Sequence, residues 1–186
     1  WISNPQSNGS VFSIVGPMGN GKTTLVKEGI SKMINRPFEF ISLGGAIKHN
    51  NYEPSRVAPY EKDWVIFPVD GYGNHDIIRS VLRTEKPDMI WFMTDPRFYG
   101  WLWEIENEIR ANIPMVYYHV WDNYPYPKFN KRFYDSTDVV VSISKITNDI
   151  VANVSPDVDL YHVPHAVDSN FRPMESAELD DFVLKT

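Results

Sequence analysis

Val11-Phe12-Ser13-Ile14-Val15 runs straight into Gly16-Pro17-Met18-Gly19-Asn20-Gly21-Lys22-Thr23-Thr24. The first five residues carry no charge and include three β-branched side chains, the composition of a buried strand. The glycines interrupt it. Beyond them Leu25, Val26, Gly29, Ile30, Met33 and Ile34 fall on one helical face, until Asn35 and Pro37 stop the helix. Strand, Gly-rich turn and helix together open a parallel α/β unit.

The alternation continues down the chain. Phe38 to Leu43 reads as a second strand, and residues 44 to 63 read as loop, with Gly44-Gly45, Asn50-Asn51, Pro54 and Pro59. Trp64 to Val69 is a third strand whose Pro68 marks an edge position or a strand end. Ile77, Ile78, Val81 and Leu82 make a helix that closes before Pro87. Met89-Ile90-Trp91-Phe92-Met93 lacks polar alternation, as a strand covered on both faces does. Trp101, Leu102, Ile105 and Ile109 predict a helix ending before Pro114. Strands are expected at Met115 to Tyr118, Val139 to Ile143 and Tyr161 to Val163. Ser144 is the expected N-cap of a helix carrying Ile146, Ile150, Val151 and Val154. A short helix is expected from Ser176 in the acidic tail. The pattern specifies a doubly wound, mostly parallel α/β sheet with helices on both faces, whose functional loops sit at the carboxyl ends of the strands.

Composition narrows the function. The chain has 186 residues, which favours one domain, with 42% hydrophobic and 23% charged residues. A net charge of −6 without a basic run argues against nucleic-acid or anionic-membrane binding. There are no cysteines, so disulfides and thiolate metal sites are excluded. No apolar stretch approaches the ~20 residues of a membrane span. The chain begins at Trp1 without a signal peptide, and a cytoplasmic location is expected. The oligomeric state is not legible.

Gly16 to Thr23 fits G-x-x-x-x-G-K-[ST] without a mismatch, between a strand and a helix as that motif requires. Glycines let backbone N–H groups turn inward around a phosphate, and the helix N-terminus adds partial positive charge. Gly16, Gly19, Asn20, Gly21, Lys22, Thr23 and Thr24 are thus the candidate nucleotide-binding residues. Lys22 would reach the β- and γ-phosphates of Mg-ATP, and the Thr23 hydroxyl would join the Mg²⁺ shell. The alternative is an ordinary Gly-rich turn between strand and helix.

From Asn4-Pro5 to Gly45 the chain resembles the Walker A region of Lon-like AAA+ ATPases, through Gly16 to Thr24, Asn35-Arg36-Pro37-Phe38 and Ser42-Leu43-Gly44-Gly45. That resemblance implies an apolar strand ending in Asp-Glu. The nearest stretch, Ile90 to Asp95, carries a single acid, Asp95, as a candidate Mg²⁺ ligand acting through water. It implies ATP binding with little or no hydrolysis. Asp95-Pro96-Arg97 at a strand end could bind a polar ligand, but reads first as an Asp-Pro turn with a solvated arginine.

From about Ile47 to Pro173 the chain resembles a different family, the N-terminal, acceptor-side domain of retaining GT-B glycosyltransferases of group 1. The stretches are Lys86 to Ile90, Pro114 to Asp122, Asp138 to Lys145, and Val163-Pro164-His165-Ala166-Val167-Asp168 with Phe171-Arg172-Pro173. His165 stands where that family has Asn, and Ala166 where it has Gly. The resemblance implies a Rossmann-like fold. It implies that His119, ending a buried strand, faces the cleft and contacts the transferred sugar, with Asp122 following in the same loop. Trp121 to Pro127 reads as a sugar-binding surface of aromatic faces, or as a Pro-stiffened loop packed by its own rings. The nucleotide-sugar donor is held in that family by a second domain, and residues 174–186 read as its start. Transfer by these residues alone is therefore not expected.

The two resemblances meet near Gly45 to Lys48, as a natural fusion, a misassembled reading frame or a deliberate chimera would each produce. A single domain is expected over 1–173, made of a phosphate-loop segment at 1–46 and a glycosyltransferase-like segment at 47–173. Three readings follow: a glycosyltransferase-like domain that takes a sugar, a phosphate-loop protein that takes a nucleotide, and an inactive scaffold.

Overall fold

The computed structural model describes residues 10–17, 38–45, 48–56, 64–165, 172–173 and 175. Gly19, Asn20, Gly21, Lys22, Thr23 and Thr24, the helix expected after them and the helix expected from Ser176 lie outside the described residues.

Eight strands form one sheet: β1 (Ser10–Pro17), β2 (Phe38–Gly45), β3 (Ser55–Arg56), β4 (Trp64–Pro68), β5 (Met89–Met93), β6 (Met115–His119), β7 (Val139–Ser142) and β8 (Leu160–His162). Their order is β3-β4-β2-β1-β5-β6-β7-β8. Every neighbouring pair is parallel except β3–β4. The sequence reading has 44–63 as loop, and the two-residue β3 is too short to leave a period-2 signal there. Segments 1–46 and 47–173 share this sheet: β1 and β2 pair along eight positions, and β1 also pairs with β5 from Phe12↔Met89 to Val15↔Phe92.

The helices among the described residues are α1 (His75–Thr84), α2 (Gly100–Trp103), α3 (Glu106–Arg110), α4 (Lys131–Asp135) and α5 (Lys145–Val154). Caps follow the local chemistry. Asn74 Oδ1 accepts from Ile77 N at 3.0 Å, and Ser144 Oγ accepts from Thr147 N at 3.0 Å. The helix expected through Trp101 to Ile109 is two helices, because Ile105 (φ −116°, ψ 21°) leaves helical geometry. The break allows Trp103 Nε1 to donate to Thr137 Oγ1 at 3.1 Å while Ile109 stays fully buried. The one-turn helix α4 is too short to show a 3.6-residue period, so the sequence reading passes over it.

The core is aromatic at its centre. Phe92 stacks on Tyr117 (centroids 5.0 Å, 16°) and meets Trp103 and Tyr99 edge-on at 5.2 and 5.4 Å. Such pairs each add about 0.5–1.5 kcal/mol beyond area burial. Ile90, Phe92, Met93, Met115, Tyr117 and Tyr118 are buried, and coverage on both faces explains why β5 and β6 lack polar alternation.

From β1 the chain proceeds through β2 to β4 on one side, then crosses to β5 on the other. The order therefore reverses between β1 and β5. In open parallel sheets the ligand crevice lies at that switch, outside the carboxyl ends of the strands. Here those ends are Gly16-Pro17 on β1 and Met93-Thr94 on β5, with His119 on the next strand, β6.

Candidate functional site

The rim of the switch is built tightly. Gly16 registers with Gly44, and Pro17 with Gly45. A Cβ on Gly45 would lie 2.2 Å from the Gly71 carbonyl oxygen, so the end of β2 is in close backbone contact with the turn that follows β4. Across the switch, Thr94 has φ +145°, a conformation that L side chains rarely adopt. A strained residue at a strand end persists only where its surroundings hold it. Thr94 is held through its carbonyl oxygen, which accepts from the Tyr117 hydroxyl at 2.6 Å.

His119 is fully enclosed, at 0% exposure, and does not open onto the cleft. Its Nδ1 lies 2.8 Å from the Tyr117 hydroxyl and its Nε2 2.7 Å from the Tyr134 hydroxyl. Asn130 Nδ2 in turn donates to the Tyr134 hydroxyl at 3.4 Å. Tyr117 and His119 are two apart on β6, so their side chains share one face. Burial pushes the His119 imidazole down to about 3, against the opposing pull of the Asp95 charge. Burial likewise pushes the Tyr134 phenol up to about 12 and Tyr117 well above its ordinary value. The ring is neutral at physiological pH. On β7, Ser142 registers with His119, and its buried Oγ has no hydrogen-bond partner among the described residues.

Asp95 caps the 3₁₀ turn Pro96–Phe98 by accepting from Arg97 N at 2.9 Å. Its two carboxylate oxygens also accept from Arg97 Nε and Nη2, each at 2.9 Å. Burial works to raise the Asp95 carboxyl, but the hydrogen bonds and charge of Arg97 outweigh it and hold it below the ordinary range. As a Mg²⁺ ligand through water, Asp95 would have to share oxygens that Arg97 now occupies. Among the described residues no three His, Asp or Glu side chains converge as a metal site.

Asp122 is exposed in the loop after β6 and has no hydrogen-bond partner among the described residues. Around it the loop is held by specific contacts. Trp121 Nε1 donates to Asn123 O at 3.0 Å, and the Trp121 ring stacks toward His119 at 6.5 Å. The Tyr124 and Tyr126 hydroxyls both donate to Asp149 Oδ2 on α5, at 3.4 and 3.1 Å. Tyr124, Tyr126 and Phe129 remain exposed. The loop is thus tied to its neighbouring helix and still presents aromatic surface. Further on, the His165 ring stacks on Tyr118 at 5.4 Å, and the Tyr118 hydroxyl donates to Val163 O at 2.7 Å.

The structure therefore brings Gly16, Asp95 and His119 to the carboxyl ends of β1, β5 and β6, with Asp122 in the loop that follows. Sequence reasoning missed Thr94, Tyr117, Asn130, Tyr134 and Asp149. The i, i+2 pair Tyr117/His119 and the i, i+4 pair Asn130/Tyr134 were readable as shared faces. Nothing in the sequence pairs the first with the second.

No family model matches the chain. Its fold is similar to that of sucrose-phosphate synthase from Thermosynechococcus elongatus, with a TM-score of 0.57 at 10% identity over 94% of this chain and 97% of that one. It is also similar to OtsA in its apo form (TM-score 0.57, 8% identity, 96% of this chain and 55% of that one). A trehalose-6-phosphate protein from E. coli, solved bound with UDP-2-fluoro glucose, matches with a TM-score of 0.53 at 10% identity, over 95% of this chain and 54% of that one. The chain thus shares the Rossmann-like α/β fold of these proteins and spans about half the length of the last two. In sequence, 45 residues are 51% identical to a Lon protease homolog of Acanthamoeba polyphaga mimivirus, covering 24% of this chain and 4% of that protein.

Proposed function

We propose that this chain is the acceptor-side domain of a GT-B glycosyltransferase, binding a sugar at the carboxyl ends of β1, β5 and β6. The observation that supports it most is the fold likeness to glycosyltransferases over at least 94% of the chain, in three structures. The switch between β1 and β5 is where an open parallel sheet takes its ligand, and at the same strand ends stand the strained Thr94 and an aromatic loop with a free carboxylate, Asp122. Asp122 would accept from sugar hydroxyls. His119 would meet a sugar hydroxyl only where Tyr134 gives up Nε2. Transfer also needs a second lobe that holds the nucleotide-sugar donor, so this domain by itself binds without turning over.

The test is saturation-transfer NMR with hexoses and hexose phosphates at millimolar concentration. Signals that weaken in Asp122→Ala support the reading; silence across the panel removes it.

A second reading has its own observation. The strand that leads into Gly16 is the central strand of the switch, with β2 and β5 on either side, where a phosphate loop would face the crevice. On this reading Gly16, Gly19, Asn20, Gly21, Lys22, Thr23 and Thr24 hold Mg-ATP, with Asp95 reaching the Mg²⁺ shell through water. Saturation at ~100 times Kd adds about 2.7 kcal/mol. For a chain of this length that raises the thermal midpoint by roughly 5–11 °C. A rise abolished by Lys22→Ala supports nucleotide binding, and no rise in either protein rejects it. Failure of both tests leaves a scaffold.

A further inference from the structure

The polar contacts around His119 form one chain from Asn130 to Thr94, and its direction follows from which groups can only accept. The Thr94 carbonyl has no proton to give, so the single proton of the Tyr117 hydroxyl goes to it, across 2.6 Å. The Tyr117 oxygen is then left as an acceptor toward His119 Nδ1, 2.8 Å away, and Nδ1 must carry the proton. A neutral imidazole has one N–H, so Nε2 holds a lone pair. That lone pair takes the Tyr134 proton across 2.7 Å, and the Tyr134 oxygen accepts from Asn130 Nδ2. Each donor meets one acceptor from end to end.

We propose that Tyr117, anchored on the Thr94 carbonyl, is a positioning residue that holds His119 in a single tautomer, with the proton on Nδ1 and on Nε2 the lone pair that accepts from Tyr134. The opposite tautomer would aim two lone pairs at each other between Nδ1 and Tyr117, or turn the Tyr117 proton to Nδ1 and away from the Thr94 carbonyl oxygen. Either way a buried pair is lost, which disfavours that tautomer by about tenfold or more. Two consequences follow. His119 has no proton to offer at Nε2, and a ligand group replacing Tyr134 there must itself be a donor, such as a hydroxyl. The same chain fastens the strained Thr94 to the start of α4, joining the switch to the segment that follows the aromatic loop.

The inference names the ligand chemistry of the glycosyltransferase reading but does not need it, since the tautomer is measurable without ligand. Two-bond ¹H–¹⁵N NMR on the ¹⁵N-labelled full chain at neutral pH reads it, with His119→Gln assigning the ring among the 5 histidines. The expected spectrum has a protonated Nδ1 and an unprotonated Nε2. Tyr117→Phe should release the preference, and Tyr134→Phe should keep it. A protonated Nε2 or averaged ring nitrogens in the unaltered protein overturns the proposal, as does release by Tyr134→Phe alone. Should Tyr117→Phe not fold, the unaltered and Tyr134→Phe spectra still decide. A fixed tautomer with no sugar binding would reject the sugar reading and leave this inference standing.

Discussion

The Tyr117 hydroxyl and the Thr94 carbonyl oxygen stand 2.6 Å apart, joining the body of β6 to the residue that leaves β5. The bond crosses the end of the sheet beside the switch and holds a backbone with φ +145°. Removing the hydroxyl strands the buried His119 Nδ1–H and the half-buried Thr94 carbonyl. An unsatisfied buried polar group costs about 1–3 kcal/mol. Tyr117→Phe is therefore expected to lower stability by about that much or somewhat more in urea unfolding. A change below about 0.5 kcal/mol, the size of an ordinary surface substitution, would show that the bond does not hold Thr94.

Stability should fall in acid through His119. Its folded value, depressed to about 3, lies below the ordinary value of 6.5. The unfolded chain then binds more protons between those two values. The contribution of the neutral buried ring is complete above pH 6.5 and is lost as pH falls toward 3. The slope from this group approaches about 1.4 kcal/mol per pH unit inside the window. Urea unfolding from pH 7 to 4 should show it, and His119→Gln should flatten it. An equal slope in both proteins would assign the acid sensitivity elsewhere.

Gly45 should tolerate no side chain. A Cβ there would meet the Gly71 carbonyl oxygen at 2.2 Å, and both partners are backbone. Gly45→Ala must push the end of β2 and the turn at Gly71 apart, at a cost of about 1–3 kcal/mol. Thermal unfolding measures it. Gly100→Ala is the control, because a Cβ there meets nothing within 4 Å. Equal midpoints for the two variants would contradict the close approach.

The Asp149 carboxylate raises the Tyr126 phenol through its hydrogen bond, and adds to the effect of burial on Tyr124. In Asp149→Ala both phenols should titrate at lower pH in a spectrophotometric titration. Easier cleavage in the loop between Trp121 and Phe129 should accompany the change, since the loop loses its tie to α5. An unchanged tyrosine titration would mean that the two hydroxyls do not hold Asp149 in solution.

Strand and helix positions were legible in the sequence because they rest on near neighbours. The uncharged run of β5, the Ser144 cap and the stop before Pro87 each depend on a few adjacent residues. Ile105 was the exception in the helix after β5. Its own residue type is compatible with a helix, and the break goes with long-range packing that seats Trp103 against Thr137.

The sequence alone determined an α/β alternation, a Gly-rich stretch after the first strand and a histidine at the end of a buried strand, since side-chain size, charge and spacing act locally. Only the tertiary structure decided that β1 lies between β2 and β5, which sets the switch beside Gly16. Only it decided that His119 is enclosed. That enclosure needs Tyr134, 15 residues on, in a helix with no sequence period. The relation of Asp149 to Tyr124 and Tyr126 is of the same kind, 25 and 23 residues apart. Contacts at such separations form where the sheet brings elements together, and a linear pattern carries no record of them.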